Sequence, residues 1–275
     1  MNNPRQTLGV LIRFSNSAST LPGVLLALKQ QTLQPDVVLA VDSGSHDDSR
    51  ALIHAAGGII IDWPAKYEHS RVLNFGLSQL DTDLVLILSS HTVLQAPDTL
   101  ERMVSAMEDP ETACVSGKWD ADSYYSDSID WPELRTKGLK FGSIYSNSMG
   151  MIRRSLWQQL PFDEALATSE DYAWCIAQLK RGHRCRRLSF PFAYKRSGHV
   201  REAEFAHVTF HFARLHGLHV AWLGPVGSIK YCLWSLVNPG DTTGKNDWRP
   251  AAIRLRAWIS QWLFPGHRPW AISRP

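Results

Sequence analysis

Short runs of consecutive apolar residues alternate with stretches of helical periodicity in the first half of the chain. The apolar runs have the length of strands buried on both faces, and they span residues 8–14, 37–41, 59–62 and 84–88. The segments between and after them have helix-start signals and apolar residues at helical spacing, and they span residues 21–31, 49–56, 71–80 and 97–107. Because helices that alternate with strands cover both faces of a sheet, the pattern predicts an α/β fold with a mostly parallel central sheet.

The alternation becomes less regular after a fifth strand-like run at residues 113–117. Residues 119–140 are polar and rich in Asp, Ser and Tyr, which predicts a long loop, and loops of this length are more often functional than idle. Order is expected again at residues 146–153, in a helix from 169 to 182 and in a strand near 185–190.

Charge and tryptophan are unevenly distributed along the chain. The formal net charge of +3 conceals a balance of −8 over residues 1–180 and +11 over residues 181–275. Six of the eleven tryptophans lie in the last third of the chain, at positions 222, 234, 248, 258, 262 and 270. Tryptophan together with arginine is typical of lipid interfaces. The alternatives are a protein partner docked on the aromatic residues and nucleic acid bound by the arginines, although nothing upstream resembles a nucleic-acid module.

The chain is long and apolar enough to bury a substantial core, with 275 residues of which 44% are hydrophobic and 20% charged. This composition excludes a disordered or fibrous protein. We expect an α/β domain over residues 1–200 and a helical, basic, Trp-rich region over residues 201–275 that lies on a membrane surface or docks a partner. Residues 251–264 have the one-sided apolar pattern of such a helix.

The expected location is the cytoplasm, with peripheral attachment to the inner face of the membrane. The N-terminus lacks the apolar stretch of a secretory signal. The most apolar later stretch, residues 215–237, is interrupted by His, Pro and Lys, which disfavours a transmembrane helix.

Four cysteines occur in the chain, at positions 114, 175, 185 and 232. They form no CxxC pair and have no regular spacing. The spacing supports neither a disulfide framework nor a structural zinc site, and it suits a reducing compartment.

Polar residues follow the predicted strands at their carboxyl ends, where open α/β sheets bind ligands. These residues include Asn16, Asp42, Ser43, Asp62, Ser90 and His91. Asp42 and Asp62 are carboxylates that can accept hydrogen bonds from a base or a ribose. The alternative for Asp42 is a local role in starting a turn and capping the next helix.

Six short motifs occur in one order along the chain. They are LGVLIRFSN (8–16), QQTLQPD (30–36), VDSGSHD (41–47), SRVLNFG (70–76), FDE (162–164) and SED (169–171). The ordered set resembles the family 2 glycosyltransferases, and most of all the rhamnosyltransferase-like bacterial members, over roughly residues 7–200. The resemblance implies a GT-A-like, Rossmann-type nucleotide-diphospho-sugar transferase fold, here followed by a C-terminal helical appendage, and a nucleotide-sugar donor.

The resemblance also implies roles for individual donor-binding residues. The family's base-binding Asp falls on Asp42, and Arg71 and Asn74 match the residues that approach the base and the pyrophosphate. A guanidinium suits this role because it makes paired, charge-assisted hydrogen bonds to phosphate oxygens. The alternative for Arg71 is a solvated residue in the first turn of a helix.

The family's metal-binding Asp-x-Asp motif is absent at the matching position, which reads Ser89-Ser90-His91. Mg²⁺ prefers oxygen ligands, whereas imidazole suits Mn²⁺ or softer ions. His91 is therefore a metal ligand, a partner of the diphosphate or a polar residue at a strand end. His199 resembles the histidine that closes the family's site and is the second candidate ligand. The sequence therefore leaves open whether the protein uses a divalent metal, Mn²⁺ or Mg²⁺, as a cofactor.

Glu170 and Asp171 match the acidic pair that the family uses in catalysis. In its inverting members the second acid takes the proton from the acceptor hydroxyl, which assigns the general base to Asp171. The alternative is helix capping, because Ser169 precedes two acids in a first turn where negative charge is favourable.

Three further residues are candidates for the acceptor or diphosphate side. Arg153 and Arg154 lie in a segment that resembles the family's acceptor-side wall, and they can equally be solvated helix-end charges. Trp119 begins an aromatic loop of the kind on which sugars stack, and the alternative is core packing.

Together these patterns predict an inverting glycosyltransferase for hexosyl or deoxyhexosyl transfer. The expected acceptor is a hydroxyl of a glycan or a lipid-linked molecule in cell-surface polysaccharide synthesis, reached through the C-terminal region on the membrane surface, and no nucleic acid is involved. One alternative is a non-catalytic nucleotide-binding or scaffold subunit with a degenerate fold. A nucleotidyltransferase is disfavoured, because no glycine-rich loop follows the first strand.

Overall fold

The computed structural model describes most of the first two thirds of the chain and short pieces beyond. The described residues are 5–118, 124–140, 144–166, 168–194, 209, 211–220 and 259. The chain divides into two compact units, of which the first contains residues 1–131, 142–164 and 170–197, and the second contains residues 132–141, 165–169 and 198–275. The predicted boundary at residue 200 stays a prediction.

The first unit is built on an eight-stranded sheet. Its strands, numbered in chain order, are β1 (Leu8–Phe14), β2 (Val37–Asp42), β3 (Ile59–Asp62), β4 (Leu84–Ser89), β6 (Thr112–Gly117), β7 (Ser128–Ile129), β8 (Met149–Arg153) and β9 (Arg184–Leu188). Their spatial order is β3-β2-β1-β4-β8-β6-β9-β7. A separate antiparallel pair contains β5 (Thr92–Leu94) and β10 (Phe192–Tyr194).

The strand register brings the carboxyl ends of the first four strands to one edge. β1 pairs in parallel with β2 and β4, and β2 pairs in parallel with β3. Asp42 therefore lies opposite both Phe14 and Asp62, and Ser89 lies opposite Arg13. β8 runs antiparallel between β4 and β6, so the chain enters β8 at this same edge. The predicted mostly parallel sheet is confirmed, with β8 and β7 as the reversed strands.

Helices follow the strands as the periodicity predicts. They are α1 (Leu21–Lys29), α2 (Ser49–Ala55), α3 (His69–Ser78), α4 (Thr99–Ala106), α5 (Trp131–Lys137), α6 (Arg154–Gln159) and α7 (Glu170–Lys180). The prediction of one continuous loop over residues 119–140 is wrong, because β7 and α5 lie within its described part. Both elements are too short and too polar to produce a periodic signal, and α5 buries Leu134 alone.

The strand runs are continuously apolar because helices cover both faces of the sheet. Val10 and Ile12 of β1 belong to the core that includes residues of α1, α2 and α4. Leu11 points the other way and is also fully buried. On that face a Cβ at Gly76 would lie 2.5 Å from Leu11 Cδ1, so only glycine lets α3 pack this closely on β1.

The second unit is described only in part. Within it, Leu139 N donates a hydrogen bond of 2.8 Å to the carbonyl of His219, and Phe212 is buried. The helix predicted over residues 251–264 lies outside the described residues except for Ile259. Among the described residues, none of the helices combines the length and the apolar character that crossing a bilayer requires.

Candidate functional site

A cavity of about 400 Å³ opens at the carboxyl ends of β1, β2 and β4. Its walls come from the end of β1 and the loop after it, together with Ser43, Tyr67, Ser90 and His91. Asn16 lines it as well. Four of the polar residues that were expected at this edge, Asn16, Ser43, Ser90 and His91, thus line one cavity. Their roles toward a donor stay predictions.

The loop after β1 is held by hydrogen bonds to the neighbouring strand ends. Asn16 has a left-handed backbone with φ of 46°, a conformation that asparagine tolerates better than most residues. Its Oδ1 accepts a bond of 2.9 Å from His46 N, and its own N–H donates to Ser45 Oγ. The hydroxyls of Ser17 and Ser90 lie 3.0 Å apart and connect the loop to the end of β4. Hydrogen bonds within the chain therefore fix this wall of the cavity.

Three buried polar atoms of cavity-lining residues have no hydrogen-bond partner in the described part of the chain. They are Arg13 Nε, Ser43 Oγ and His91 Nε2. Because buried polar groups in folded proteins are nearly always hydrogen-bonded, three such atoms around one cavity indicate a polar ligand that completes them.

Among the described residues that line the cavity, Arg13 is the one arginine or lysine, and it was not among the residues predicted from the sequence. Its Nη1 lies 3.1 Å from the hydroxyl of Tyr67 and 2.7 Å from Nδ1 of His69. Burial alone would lower the pKa of Arg13, but Tyr67 and the acids Glu170 and Asp171 raise it above its ordinary value. The available signal was a charged residue inside the otherwise apolar run of β1.

The surroundings of His91 disfavour the charged form of its imidazole. Burial and the positive charge of Arg13 both lower the pKa of His91 below its ordinary value. Its ring packs edge-on against Tyr194 at a centroid distance of 4.8 Å. The residues that the structure describes place no group of three potential ligands around His91, and no Asp or Glu among them lines the cavity. They do not fit a metal held by several protein ligands; His199 lies outside the described residues.

Arg50 joins the two carboxylates at the ends of β2 and β3. Asp42 is buried and accepts hydrogen bonds from Ser45 N at 2.9 Å, Ser45 Oγ at 2.7 Å and Arg50 Nη1 at 2.7 Å. Arg50 also pairs with Asp62, which is 73% exposed. Burial alone would raise the pKa of Asp42, but the bonds from Ser45 and Arg50 lower it below its usual value. Asp42 thus starts a turn without capping α2, and its role toward a base stays a prediction.

Glu170 and Asp171 open α7 and are fixed by one residue that precedes β8. Asn147 N donates to Asp171 Oδ2 at 3.1 Å, and Asn147 Nδ2 donates to Glu170 Oε1 at 3.2 Å. Asp171 Oδ1 accepts a further bond of 2.8 Å from Tyr172 N. Because β8 pairs Met149 with Leu88 near the end of β4, Asn147 holds the acids at the edge of the sheet that carries the cavity.

The carboxyl of Asp171 is tuned to take up a proton near neutral pH. Burial and the charge of Glu170 raise the pKa of Asp171 to about 7, against the hydrogen bonds from Asn147 and Tyr172 and the charge of Arg13. The negative charges of both acids in turn raise the pKa of Arg13, so the acidic pair interacts electrostatically with a residue that lines the cavity. No residue of the predicted site has a stronger physical argument for base catalysis.

Arg71 and Asn74 contact the FDE segment rather than the cavity. Arg71 Nε lies 2.8 Å from Glu68 and 3.6 Å from Glu164. Asn74 Nδ2 donates to the carbonyl of Phe162 at 2.9 Å and to Glu164 at 3.0 Å, and Asn74 Oδ1 accepts from Phe162 N. Two of the ordered motifs therefore bind each other, and a role of either residue toward the donor stays a prediction.

Arg153 and Arg154 lie at the opposite edge of the sheet from the cavity. β8 is antiparallel, so Arg153 pairs with Leu84 at the start of β4. Arg153 Nη2 donates to the carbonyl of Met107 at 2.6 Å, and Arg154 Nη1 pairs with Asp81 at 3.3 Å. This placement does not support an acceptor- or diphosphate-side role for these arginines, because the cavity lies at the other end of the strands. The sequence pattern did not reveal that β8 is reversed.

The aromatic loop expected on the acceptor side is described in part, and Trp119 lies outside the described residues. Tyr125 is buried, with Tyr124 edge-on to it at 4.9 Å and the guanidinium of Arg187 5.6 Å from its ring centre. Tyr125 therefore packs in the fold, as the alternative interpretation of these aromatics predicts.

Two curated relatives are rhamnosyltransferases of Salmonella. The chain is 28% identical over 193 residues to the O-antigen chain rhamnosyltransferase RfbN of Salmonella typhimurium, a match that covers 64% of this chain and 62% of that protein. It is 25% identical over 175 residues to the O-antigen chain rhamnosyltransferase WbaN of Salmonella anatum, covering 58% and 56%. The match thus spans less than two thirds of the length of these relatives.

Solved structures of similar fold include sugar transferases. The mannosyltransferase PcManGT of Pyrobaculum calidifontis, solved with GDP-Man and Mn²⁺, superposes with a TM-score of 0.68 at 17% identity and covers 96% of this chain and 88% of its own. Glucosyl-3-phosphoglycerate synthase of Mycobacterium tuberculosis, solved with Mn²⁺, UDP and phosphoglyceric acid, gives 0.60 at 18% identity and covers 80% and 81%. At these identities the likeness shows the fold alone, and it confirms the predicted GT-A α/β fold.

A comparison with family models identifies the same kind of protein as the motif order, the fold and the relatives. The model of Glycosyl transferase family 2 matches residues 10–166, more than half of the chain. This match begins within β1, extends past β8 and includes all of the described cavity-lining residues. The chain belongs to glycosyl transferase family 2.

Proposed function

We propose that the chain is an inverting glycosyltransferase that moves a sugar from a nucleotide-sugar donor to a hydroxyl of a glycan or lipid-linked acceptor in cell-surface polysaccharide synthesis. The observation that carries the proposal is the cavity with three unpartnered polar atoms beside the Glu170–Asp171 pair. Family membership supports it, and the names of the Salmonella relatives favour a deoxyhexosyl group over a hexosyl group.

The donor is expected to place its diphosphate in the cavity. Arg13 Nε, Ser43 Oγ and His91 Nε2 offer the hydrogen-bonding groups that phosphate oxygens require, and Arg13 adds a positive charge. The base and ribose are then expected toward the ends of β2 and β3, where Asp42 and Asp62 lie. In this arrangement Arg13 stabilises the negative charge that develops on the departing nucleoside diphosphate.

The chemical step is a single in-line displacement. The acceptor hydroxyl oxygen attacks the anomeric carbon, the bond from that carbon to the diphosphate oxygen breaks, and the electron pair leaves with the nucleoside diphosphate. Asp171 takes the hydroxyl proton, for which a carboxylate with a pKa of about 7 is well suited. Attack from the face opposite the leaving group inverts the anomeric centre.

Arg13 is proposed to supply the charge that a metal ion provides in solved transferases of this fold. The mannosyltransferase and the synthase described above were both solved with Mn²⁺. In this chain the Asp-x-Asp position has no carboxylate, and His91 is the one potential metal ligand among the described cavity-lining residues. The positive charge of Arg13 reaches His91 and lowers its pKa, so it stands where a cation would.

The proposed activity is tested on the full chain with a panel of UDP-, GDP-, dTDP- and CMP-linked sugars. Donor binding is expected to raise the melting temperature for one nucleotide class, because a ligand of the folded state stabilises it. That donor is expected to release nucleoside diphosphate slowly by hydrolysis. Asp171→Asn is expected to abolish turnover and to leave donor binding nearly intact, whereas Asp81→Asn, at a fully exposed acid, serves as the control.

Two results would overturn parts of this proposal. Unchanged turnover in Asp171→Asn excludes Asp171 as the base. Absence of nucleoside diphosphate release from every donor supports the alternative of a non-catalytic scaffold subunit. The anomeric configuration of the product, measured by NMR, decides between inversion and retention.

The C-terminal region is proposed to bring the enzyme to a membrane-bound acceptor from the cytoplasmic side. The support is its composition, because residues 201–275 contain nine Lys and Arg against four Asp and Glu, together with six tryptophans. The full chain is expected to co-sediment with vesicles that contain anionic lipid, less so at high salt, and not with neutral vesicles. Equal recovery with neutral vesicles, or none with either, contradicts a charge-driven membrane contact.

A further inference from the structure

Three cysteines that are distant in sequence meet inside the first unit. Cys114 lies on β6, Cys175 on α7 and Cys185 on β9, and all three are fully buried and free. Their sulfur atoms all lie within 4.8 Å of one another, and those of Cys114 and Cys175 are 3.8 Å apart. The spacing along the chain gives no indication of this cluster, because the three residues come from three separate elements.

The sulfur separations match those around a thiolate-bound metal ion. With a Zn–S bond of about 2.3 Å, tetrahedral coordination separates two sulfurs by about 3.8 Å and trigonal coordination by about 4.0 Å. The cluster therefore needs only a small contraction to surround an ion. Thiolate is the ligand that selects zinc and softer ions over Mg²⁺ or Ca²⁺.

A second observation points to a missing group at the same place. The hydroxyl of Tyr145 is buried and has no hydrogen-bond partner within the described residues. It interacts electrostatically with all three thiols. Buried tyrosine hydroxyls usually find a partner, so this one is available as a fourth ligand or as a donor to a thiolate.

A buried countercharge lies beside the cluster. Arg187 is 3% exposed and donates a bond of 3.0 Å to the carbonyl of Tyr125. Arg187 follows Cys185 by two residues on β9, so the two side chains lie on the same face of the sheet. One arginine offsets the net charge of about −1 that three thiolates and a divalent ion leave.

We propose that Cys114, Cys175 and Cys185 form a buried site for a thiophilic metal ion, with Zn²⁺ as its occupant. The ion would join the hydrogen-bonded strands β6 and β9 to α7, which packs against both. Its predicted effect is structural, since the site is closed to solvent. Cys175 lies four residues after Asp171 on α7 and interacts with it electrostatically, so the two sites are neighbours. Zinc content and thiolate absorbance are measured without turnover, so either proposal can fail while the other stands.

The test uses the full chain, purified without chelator and measured for bound zinc. After chelation under reducing conditions, the protein is titrated with Cd²⁺, whose bonds to thiolate give ultraviolet charge-transfer absorbance. We expect about one ion per chain, a higher melting temperature with metal than without, and protection of three thiols from a thiol reagent. A chain that holds no zinc and gives no thiolate band with Cd²⁺ overturns the proposal.

Variants assign the ligands. Cys114→Ser and Cys185→Ser are expected to lose the band or weaken it by about a third or more per thiolate removed. Cys232→Ser, at the cysteine outside the described residues, is the matched control and is expected to keep it. A band that disappears in Cys232→Ser and persists in the other two contradicts the assignment. If a variant fails to fold, the zinc content and thiol protection of the unaltered chain still decide.

Discussion

Asn147 donates its backbone N–H to Asp171 at 3.1 Å and its side-chain amide to Glu170 at 3.2 Å. One residue thus fixes both acids of the proposed catalytic pair. The bond to Asp171 comes from the backbone and favours its charged form, while burial and Glu170 oppose it. The geometry of the pair depends on the peptide that leads into β8.

Asn147→Ala is expected to release Glu170 while the backbone bond to Asp171 and the fold are kept. Glu170 is buried and would lose its side-chain donor, at a cost of about 1–3 kcal/mol in the free energy of unfolding. We expect kcat to fall about tenfold or more with little change in KM for the donor. Steady-state kinetics check this, with Ser148→Ala as the neighbouring control. A variant that changes KM alone would place Asn147 at substrate binding and not at positioning.

Turnover is expected to rise with pH through about 7 and then level off. Asp171 has a pKa of about 7 and works as a base only when it is deprotonated. Arg13→Met removes a charge that lowers this pKa, so the rise should move to higher pH in that variant. The measurement is a pH profile of kcat/KM for both proteins. A profile that is flat between pH 5 and 8 would falsify the assignment of the base.

Asp171→Asn is expected to be more stable than the unaltered chain above neutral pH. The pKa of Asp171 is raised on folding, so the native state holds its proton more tightly than the unfolded state does. Stability from this group is present below its unfolded pKa and is lost as pH rises toward 7, while Asn loses nothing. Melting temperatures between pH 4 and 8 should diverge in favour of the variant as pH rises. A constant difference would contradict the raised pKa.

Replacement of Arg13 and removal of metal distinguish the two sources of positive charge at the diphosphate. If Arg13 supplies it, Arg13→Met should lower kcat/KM by about 100-fold or more, and a chelator should leave the unaltered chain active. Arg181→Met, at an exposed arginine, is the control. Activity that vanishes with chelator and returns with Mn²⁺ would instead assign the role to a metal ion at His91.

Arg50→Met is expected to destabilise the ends of β2 and β3. Buried Asp42 loses a charge-assisted bond of 2.7 Å, so the free energy of unfolding is expected to fall at neutral pH. The pKa of Asp42 is depressed by folding, so this stability is present above its unfolded pKa and is lost in acid as the carboxyl is protonated. Denaturant titrations at neutral and acidic pH test this. Asp62→Asn, at the exposed partner, should cost less, about 0–1 kcal/mol.

The first four strands were predictable because each is a continuous apolar run. The bounds of β1 and β3 agree residue for residue with the pattern. A short strand such as β8 carries no mark of its direction, so the placement of Arg153 and Arg154 could not be predicted.

The acidic pair was predictable from the ordered motifs, whereas the cavity-lining residues were predictable where they follow strand ends. Asn16, Ser43 and His91 were found in this way. Arg13 was missed although its charge interrupts an apolar run, because its partners Tyr67 and His69 lie more than fifty residues away in sequence. Arg50 was missed because its partners Asp42 and Asp62 lie on two strands, 8 and 12 residues away. The cysteine cluster was missed for the same reason, since spacing rules detect only ligands that one loop or hairpin brings together.

The reversed direction of β8 has a consequence for protein engineering. In a parallel strand the peptide that enters the sheet lies far from the ligand edge, and loops there can be exchanged freely. Here the entering peptide, residues 144–148, also contains Asn147, which holds the two acids by hydrogen bonds. A one-residue insertion in it would therefore shift both the register of β8 and the position of Asp171. Attempts to change acceptor preference should keep this peptide at its present length.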